Sequence, residues 1–413
     1  MTDEKSPISR PRLPPFRPLG RLPDGDRALV IFSDIEMGAG GLLDDFPHSD
    51  ALAEILLTYN EGPYRERAVD LIFNGDTFDL LKTPFQRGFP SHITREVALG
   101  KLEAVAAAHP LFFQAVRGVV EHGHAARRVH FLIGNHDAEL AFPEVQARIR
   151  QLCGGSPGIT FPGYRLDIAR VRIEHGQQLD PMFRVDEQAP FLEFHGKQVL
   201  NISWGAAALL DTVIPLGHLL AFHDRVKPRS YLLSLAPEIQ DLLVERFWTY
   251  WGRDFWKGYF RTDDPMKKVT WKMLKEVAWR FTSKNPEVEI SGELRQRMAA
   301  SDEFLLYVIG HKHESQWLSF GDRKILQSGC MRNEYMLSDA GRALRPIPKC
   351  YVEVFLRDGV PVVSHFVEFE GVPAPEGYVP RSIFDVIPEV KALLSGANAA
   401  AKRERERHEA GEG

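Results

Sequence analysis

The sequence predicts an α/β protein in which two packed sheets are flanked by helices. Three short apolar runs, a continuous one at 28–32 and two with a single polar residue at 69–73 and 129–133, have the pattern of strands that are buried on both faces. Helical patterns lie between these runs, and this alternation is typical of a sheet covered by helices. Short apolar segments that follow Pro143 predict the second sheet.

The individual elements follow from local signals. A helix is expected over 49–59, with Ser49 or Asp50 as its N-cap, and a long helix over 93–122. The turn pair Asp358-Gly359 predicts a closing hairpin. The later strands are expected at 159–161, 164–168 and 171–174 as a meander, then at 305–309, 325–329, 351–356 and 362–369.

The amino-acid composition argues against several classes of protein. The 413 residues carry a net charge of -5, which argues against a general nucleic-acid binder because such proteins usually show a basic bias. Three cysteines without a CxxC pair predict no disulfide framework and fit a reducing cytoplasmic setting. The Pro- and Arg-rich residues 1–26 lack an apolar core stretch, so we expect a flexible arm rather than a signal peptide.

Five predicted regions follow from these patterns. They are a flexible N-terminal arm (1–26), the first part of the core (27–180), a helical insertion or cap (181–302), the second part of the core (303–372), and a C-terminal extension with a charged tail (373–413).

The insertion is rich in apolar and aromatic residues. Its segment 200–222 is long enough to span a membrane, but Asp211, Pro215 and His218 lie inside it, and a midplane Asp costs roughly 2.5–3.5 kcal/mol. We therefore expect a buried or interfacial helix, with peripheral contact at the inner face of the membrane as an open alternative. The insertion also carries a run of aromatic residues: Phe247, Trp248, Tyr250, Trp251, Phe255, Trp256, Tyr259 and Phe260.

Five short segments at predicted strand ends carry the chemistry. The first two contain Asp34 with Glu36, and Asp76 with Asp79. Carboxylates suit hard divalent cations, and a carboxylate such as that of Asp76 can bridge two of them. We expect Asp34 and Glu36 to point the same way because they alternate along an extended segment. Asp79 is expected to orient a neighbour or cap a helix rather than bind metal.

The other three segments are 134–137, 174–176 and 310–313. The amide of Asn135 can ligate a metal, and His136 can face the substrate as an acid while Asp137 fixes its tautomer. His175 is a further candidate ligand, and a lone histidine is more often structural. The imidazoles of His311 and His313 can converge from an extended loop and suit transition metals.

Taken together, these segments resemble the motifs of the calcineurin-like metallophosphoesterase superfamily: Asp34-Ile35-Glu36, Gly75-Asp76-Thr77-Phe78-Asp79, Gly134-Asn135-His136-Asp137, His175-Gly176 and Gly310-His311-Lys312-His313. The resemblance implies a four-layer αββα metallophosphoesterase sandwich and two divalent metal ions, most simply Mn, with Fe, Zn, Mg, Co and Ni as alternatives. It assigns one ion to Asp34, Glu36, Asp76 and His313, and the other to Asp76, Asn135, His175 and His311. His136, supported by Asp137, is assigned the catalytic role.

The implied activity is hydrolysis of a phosphodiester or pyrophosphate bond in a phosphorylated small-molecule or lipid-linked substrate. The chain is loosely similar to bacterial enzymes related to UDP-2,3-diacylglucosamine diphosphatase, in which a helical insertion covers acyl chains. The insertion here fits such a lid, or alternatively a helical core or homodimer face. One departure is Glu36, where the family has His. It motivates a second hypothesis, a binding or scaffold protein on a degenerate fold, and a nuclease of the same superfamily is a third.

Overall fold

The computed structural model describes residues 22–220, 224–250, 302–338, 343–371 and 386–396, together with seven isolated positions between 252 and 300. The strands are β1 (Arg27–Phe32), β2 (Ala68–Asn74), β3 (Arg127–Leu132), β4 (Ile159–Gly163), β5 (Arg165–Ile168), β6 (Val171–Glu174), β7 (Phe191–Phe194), β8 (Lys197–Leu200), β9 (Val226–Lys227), β10 (Leu306–Ile309), β11 (Ser315–Phe320), β12 (Arg323–Ser328), β13 (Tyr335–Ser338), β14 (Ala343–Pro346), β15 (Lys349–Arg357) and β16 (Val360–Phe369). The α-helices are α1 (Ser49–Thr58), α2 (Arg95–Ala108), α3 (Pro110–Val120), α4 (Pro143–Leu152), α5 (Trp204–Thr212), α6 (Gly217–Leu220), α7 (Arg229–Leu235) and α8 (Pro237–Thr249).

The first sheet has the strand order β16-β15-β1-β2-β3-β4. Strands β1, β2 and β3 run parallel, as the three apolar runs predicted; β4 continues the parallel order, and β15 joins β1 antiparallel. The closing hairpin is confirmed at Asp358-Gly359, where both residues have positive φ. It extends the first sheet rather than the second, because apolar periodicity does not specify which sheet a strand joins.

The second sheet has the order β11-β12-β10-β6-β5, and β6, β10 and β12 are parallel neighbours. The predicted meander is therefore wrong in one respect: β4 belongs to the first sheet, and only β5 and β6 form the antiparallel pair. The two sheets pack face to face through apolar side chains from both: Leu29, Ile31, Ile72, Leu132, Val171, Ile173, Leu306, Val308, Leu326, Val352 and Val354.

Helices α1 to α4 cover the outer face of the first sheet in the largest apolar core. The predicted helix over 93–122 is two helices, α2 and α3, which meet at His109-Pro110. Proline has no amide hydrogen to donate, so it begins a helix more readily than it continues one. Helix α1 lacks the predicted Ser49 or Asp50 cap: His48 occupies the cap position and makes no side-chain capping bond.

The outer face of the second sheet also carries buried apolar side chains. Tyr307, Ile309 and Ile325 pack there with Leu179 and Leu294. The α/β class with two packed sheets and helices on the first is thus confirmed.

The predicted insertion is not purely helical. It contains the β7–β8 hairpin and helices α5 to α8, and β9 pairs with β13. The apolar segment 200–222 is broken into α5, a short 3-10 turn and α6, and its side chains enter the protein core. In the described part of the chain, no helix is both long and apolar enough to cross a membrane.

The N-terminal arm, the aromatic run of the insertion and the C-terminal tail have separate outcomes. Of the predicted arm, residues 22–26 contact the fold: Leu22 is buried, and the Asp26 amide donates to the Leu356 carbonyl. Trp248 is exposed and Tyr250 is buried. The other predicted aromatics, residues 1–21 and the charged tail lie outside the described residues or side chains.

Candidate metal centre

The candidate site forms where the carboxyl ends of both sheets meet. Asp34, Asp76 and Asn135 follow β1, β2 and β3, while His175 and His311 follow β6 and β10. Hydrogen bonds tie the two edges together: the Ser328 hydroxyl lies 2.8 Å from that of Ser33, and the Asn74 side chain donates to the Glu174 carbonyl at 3.0 Å. Ligand sites in α/β sheets collect at such edges, and here they do so for two sheets at once.

The backbone at the site differs from the extended form that the sequence suggested. Five of the predicted ligands adopt left-handed conformations, with φ between 50° and 70°: Asp34, Glu36, Asp76, His311 and His313. Such residues are strained and persist where surrounding contacts fix them. The Glu36 amide donates to the Asp76 carbonyl at 2.8 Å, and the His311 amide to Asp34 Oδ2 at 3.0 Å. Left-handed turns, rather than strand alternation, bring these side chains together.

Asp34, Asp76 and His175 form a buried group whose ligand-type atoms lie within 4.8 Å of one another. His175 Nε2 lies 3.1 Å from Asp76 Oδ2 and 3.8 Å from Asp34 Oδ1. The opposite ring nitrogen, Nδ1, donates to the Asn74 carbonyl at 2.9 Å. That bond fixes the tautomer and leaves Nε2 to ligate a cation.

Three buried atoms, two in this group and one on the neighbouring Asn135, have no hydrogen-bond partner among the described residues: Asp34 Oδ1, His175 Nε2 and Asn135 Oδ1. Buried polar atoms are nearly always paired, so unpaired ones call for an explanation such as an ion. A carboxylate oxygen, an amide oxygen and an imidazole nitrogen are all donors for divalent transition metals. These residues therefore fit a divalent cation.

His311 borders this group. Its ring centroid lies 5.4 Å from that of His175, and its Nε2 lies 3.4 Å from Asp180 Oδ2. Burial lowers the pKa of His311 below its ordinary value, which favours the neutral imidazole that a metal requires. Asp180 was not among the predicted site residues.

Glu36 has different surroundings. Its two carboxylate oxygens lie 2.9 and 2.8 Å from Arg332 Nη1, and Lys82 Nζ lies 3.2 Å from Oε2. Burial on its own would raise the pKa of Glu36, but Arg332 and then Lys82 outweigh it and hold that pKa well below its usual range. Glu36 is thus an anion that two protein cations neutralise.

His313 lies between Asp34 and Glu36. Its Nε2 is 3.2 Å from Asp34 Oδ1 and 3.6 Å from Glu36 Oε1, and its Nδ1 is 2.8 Å from Glu334 Oε1. Burial and Arg332 both lower the pKa of His313, yet the carboxylates of Asp34 and Glu334 raise it to about 9. Glu334 orients this imidazole as a carboxylate partner orients a ligating histidine.

The predicted support of His136 by Asp137 is wrong. His136 Nδ1 lies 2.9 Å from Asp79 Oδ1, so Asp79 orients the ring, as the sequence suggested for that residue. The Asp137 carboxylate instead accepts the amides of Gly134 at 2.7 Å and Thr77 at 2.8 Å. The Gly134 amide belongs to the same turn as Asp137 and the Thr77 amide to the loop after β2, so both oxygens of the carboxylate are engaged by backbone amides rather than by the neighbouring ring. Asp137 is a structural anchor of the turn.

His136, like His313, is partly exposed. Its side chain is 16% exposed, and its amide donates to Asp76 Oδ1 at 2.7 Å. Burial would lower the pKa of the ring, but Glu36, Asp79 and Asp76 outweigh it and raise that pKa to about 10. The site therefore presents a protonated imidazole beside its carboxylates.

Sequence reasoning missed several charged residues here: Lys82, Asp180, Asp224, Arg332 and Glu334. Arg332 and Glu334 follow the end of β12, a parallel neighbour of β10, so the strand-end argument that found His311 applies to them too. Asp224 comes from the insertion, and no local pattern in the sequence marks it. Its carboxylate lies 3.2 Å from Lys82 Nζ and 3.3 Å from Arg332 Nη1.

Comparison with known proteins yields structural matches at low identity. No protein-family model matches the chain, and no curated protein matches it significantly in sequence. A dimetal phosphatase from Danio rerio is 10% identical with a TM-score of 0.32, covering 84% of this chain and 100% of its own. Vacuolar Protein Sorting 29 from Cryptosporidium parvum is 11% identical with a TM-score of 0.27 over 84% and 100%. The calcineurin-like phosphoesterase YfkN from Bacillus subtilis is 10% identical with a TM-score of 0.27 over 89% and 100%.

Proposed function

We propose that the protein is a metal-dependent phosphoesterase that hydrolyses a phosphodiester or pyrophosphate bond. The observation that carries the proposal is the buried group of Asp34, Asp76 and His175, whose unpaired ligand atoms lie beside the protonated ring of His136. A divalent cation bound there supplies Lewis-acid polarisation of a phosphoryl oxygen and lowers the pKa of water. We propose Mn²⁺ as the ion, with Fe, Zn, Mg, Co and Ni as alternatives, and a phosphorylated small-molecule or lipid-linked substrate.

The protein's own groups have separate tasks in this proposal. Asp34, Asp76, Asn135 and His175 hold the cation. His136 donates a proton to the leaving oxygen, because its side chain is partly exposed and its raised pKa, about 10, favours the protonated ring. Asp79 fixes the direction of that ring through its 2.9 Å contact with Nδ1.

Hydrolysis of bis-p-nitrophenyl phosphate and p-nitrophenyl phosphate with added Mn²⁺ tests the proposal. We expect turnover of the diester and a loss of roughly 100-fold or more in Asp76→Asn, because that carboxylate contacts both His175 and His136. Asp167→Asn is the matched control, since Asp167 pairs with Arg172 on the second sheet, away from the site, and its variant should keep the wild-type rate.

A second candidate is a binding protein that uses this fold without turnover. The observation in its favour is Glu36, whose carboxylate is occupied by Arg332 and Lys82. A folded protein that hydrolyses neither ester with any of the six ions would support this candidate and contradict the first.

A further inference from the structure

The centre has two halves, one formed by Asp34, Asp76 and His175 and the other by Glu36 with Arg332 and Lys82. We infer that they are unequal: one divalent cation binds tightly in the first half, and the Arg332–Lys82 pair supplies the positive charge in the second, the Glu36 half. This inference rests on the proposed metal centre but not on turnover. It differs from the two bound ions that the resemblance of the sequence motifs implied.

The Glu36 half is already neutralised by the protein. Arg332 Nη1 reaches both oxygens of Glu36 at 2.9 and 2.8 Å, and Lys82 Nζ adds a third contact at 3.2 Å. Glu36 is fully buried and Arg332 is 4% exposed, so water does not compete for these contacts. A cation entering this half would have to share Glu36 with a guanidinium and an ammonium group.

Arg332 is also fixed from other sides. Its Nε lies 3.2 Å from Glu334 Oε1, its Nη1 lies 3.3 Å from Asp224 Oδ2, and its Nη2 donates to the Asp224 carbonyl at 2.6 Å. Asp45 Oδ2 lies 3.4 Å from the same Nη1. Moving the guanidinium away would take the closest cation from buried Glu36 and one cationic partner each from buried Asp45 and Glu334, which is unfavourable. Arg332 is therefore a resident cation rather than a side chain that a metal displaces.

The other half holds no such resident cation. Within the part of the chain that the structure describes, the ion-pair partners of Asp34 and Asp76 are histidines, His175 and His313, and imidazole is itself a metal ligand. Asp34 Oδ1, Asn135 Oδ1 and His175 Nε2 have no hydrogen-bond partner there. The oxygens of Asp45, Asp79 and Glu334 that also lack a hydrogen bond each contact a lysine or an arginine instead. A dication therefore gains most between Asp34, Asp76 and His175, whose carboxylates contact no described lysine or arginine.

The stoichiometry and affinity of Mn²⁺ binding test the inference without reference to activity. Calorimetric titration of metal-free protein with MnCl₂, with metal analysis after dialysis, should give one tight equivalent for the wild type. Glu36→Gln should keep that equivalent, and Asp76→Asn should lose it. Arg332→Gln should bind a second equivalent at least tenfold more tightly than the wild type does, because Glu36 becomes available.

Lys227→Met is the matched control for Arg332→Gln. Lys227 pairs with Glu334 at 2.8 Å, so its removal takes one positive charge from the same acidic cluster but leaves the Arg332 contacts with Glu36 in place. It should bind one tight equivalent like the wild type. Circular dichroism of each variant checks that it is folded, and if Arg332→Gln does not fold, the wild type and Glu36→Gln decide the question.

Two tight equivalents in the wild type, or the loss of one equivalent in Glu36→Gln, would overturn the inference. A protein that hydrolyses phosphodiesters and binds two tight ions would contradict the inference and leave the proposed function intact. A protein that binds one tight ion and hydrolyses nothing would support the inference and contradict the proposed function.

Discussion

Gly134 is the residue whose enlargement should disturb the centre most directly. It follows β3 and packs against Asp76, and a Cβ at this position would lie 2.8 Å from the Asp76 Cγ and closer still to its Oδ1 and amide nitrogen. Because one of these atoms belongs to the backbone, a side-chain rotation cannot remove the conflict. Gly134→Ala therefore forces Asp76 to shift.

The expected losses of stability and of Mn²⁺ affinity follow from the contacts that Asp76 makes. Overpacking of this kind costs roughly 1–3 kcal/mol of unfolding free energy. The shift also changes the 3.1 Å contact between Asp76 Oδ2 and His175 Nε2, and the 2.7 Å bond from the His136 amide to Oδ1. Disturbing the groups that orient metal ligands typically lowers affinity about 10- to 100-fold, so we expect a loss of Mn²⁺ affinity in that range.

Urea unfolding and calorimetric Mn²⁺ titration measure the two effects separately. Gly88→Ala is the matched control, because a Cβ there meets no atom within 4 Å and the backbone φ is not in the left-handed region. It should change neither quantity. Wild-type Mn²⁺ affinity in folded Gly134→Ala would refute the argument that this close approach positions Asp76.

The remaining predictions concern the turn, acid stability and metal removal. Asp79→Asn should lower kcat because it alters the partner of His136, and it should also lower stability because Asp79 pairs with Lys82. Asp137→Asn should lower the unfolding free energy by about 1–3 kcal/mol because it weakens bonds to buried amides, with a smaller effect on kcat; steady-state kinetics of the folded variants distinguishes the two. Burial, and then Lys349, lower the pKa of His48 to about 4, so its neutral form is favoured on folding and stability falls as the pH drops from about 6.5 towards 4. Unfolding free energies measured across that range should decline less in His48→Gln, and an equal decline would contradict the assignment. Chelation should lower the thermal midpoint, since a ligand at 100 times its Kd adds about 2.7 kcal/mol of stability; an unchanged midpoint would argue against a bound ion.

The sequence predicted the edge of the sheets at which the site forms. Buried parallel strands are visible as short apolar runs, and their carboxyl ends share one edge, so the polar residues that follow them had to lie near one another. This argument located Asp34, Asp76, Asn135, His175 and His311. The split at Pro110 was also visible, since a proline inside a helical pattern marks a boundary.

Partners within the site were harder to predict. Glu36 and Arg332 are 296 positions apart, and no local pattern indicates that they pair. Asp137 shows the opposite difficulty: it is adjacent to His136 in sequence, but the turn directs its carboxylate to backbone amides. Pairings of this kind depend on turn geometry and on tertiary packing, and residue order contains neither.

The central claim is that Asp34, Asp76 and His175 hold a divalent cation. A crystal structure of the protein with Mn²⁺, with anomalous difference maps measured at the manganese edge, tests this most directly. We predict a strong anomalous peak within ligand distance of Asp34 Oδ1, Asn135 Oδ1 and His175 Nε2. A map at saturating Mn²⁺ with no peak among these three atoms would contradict it.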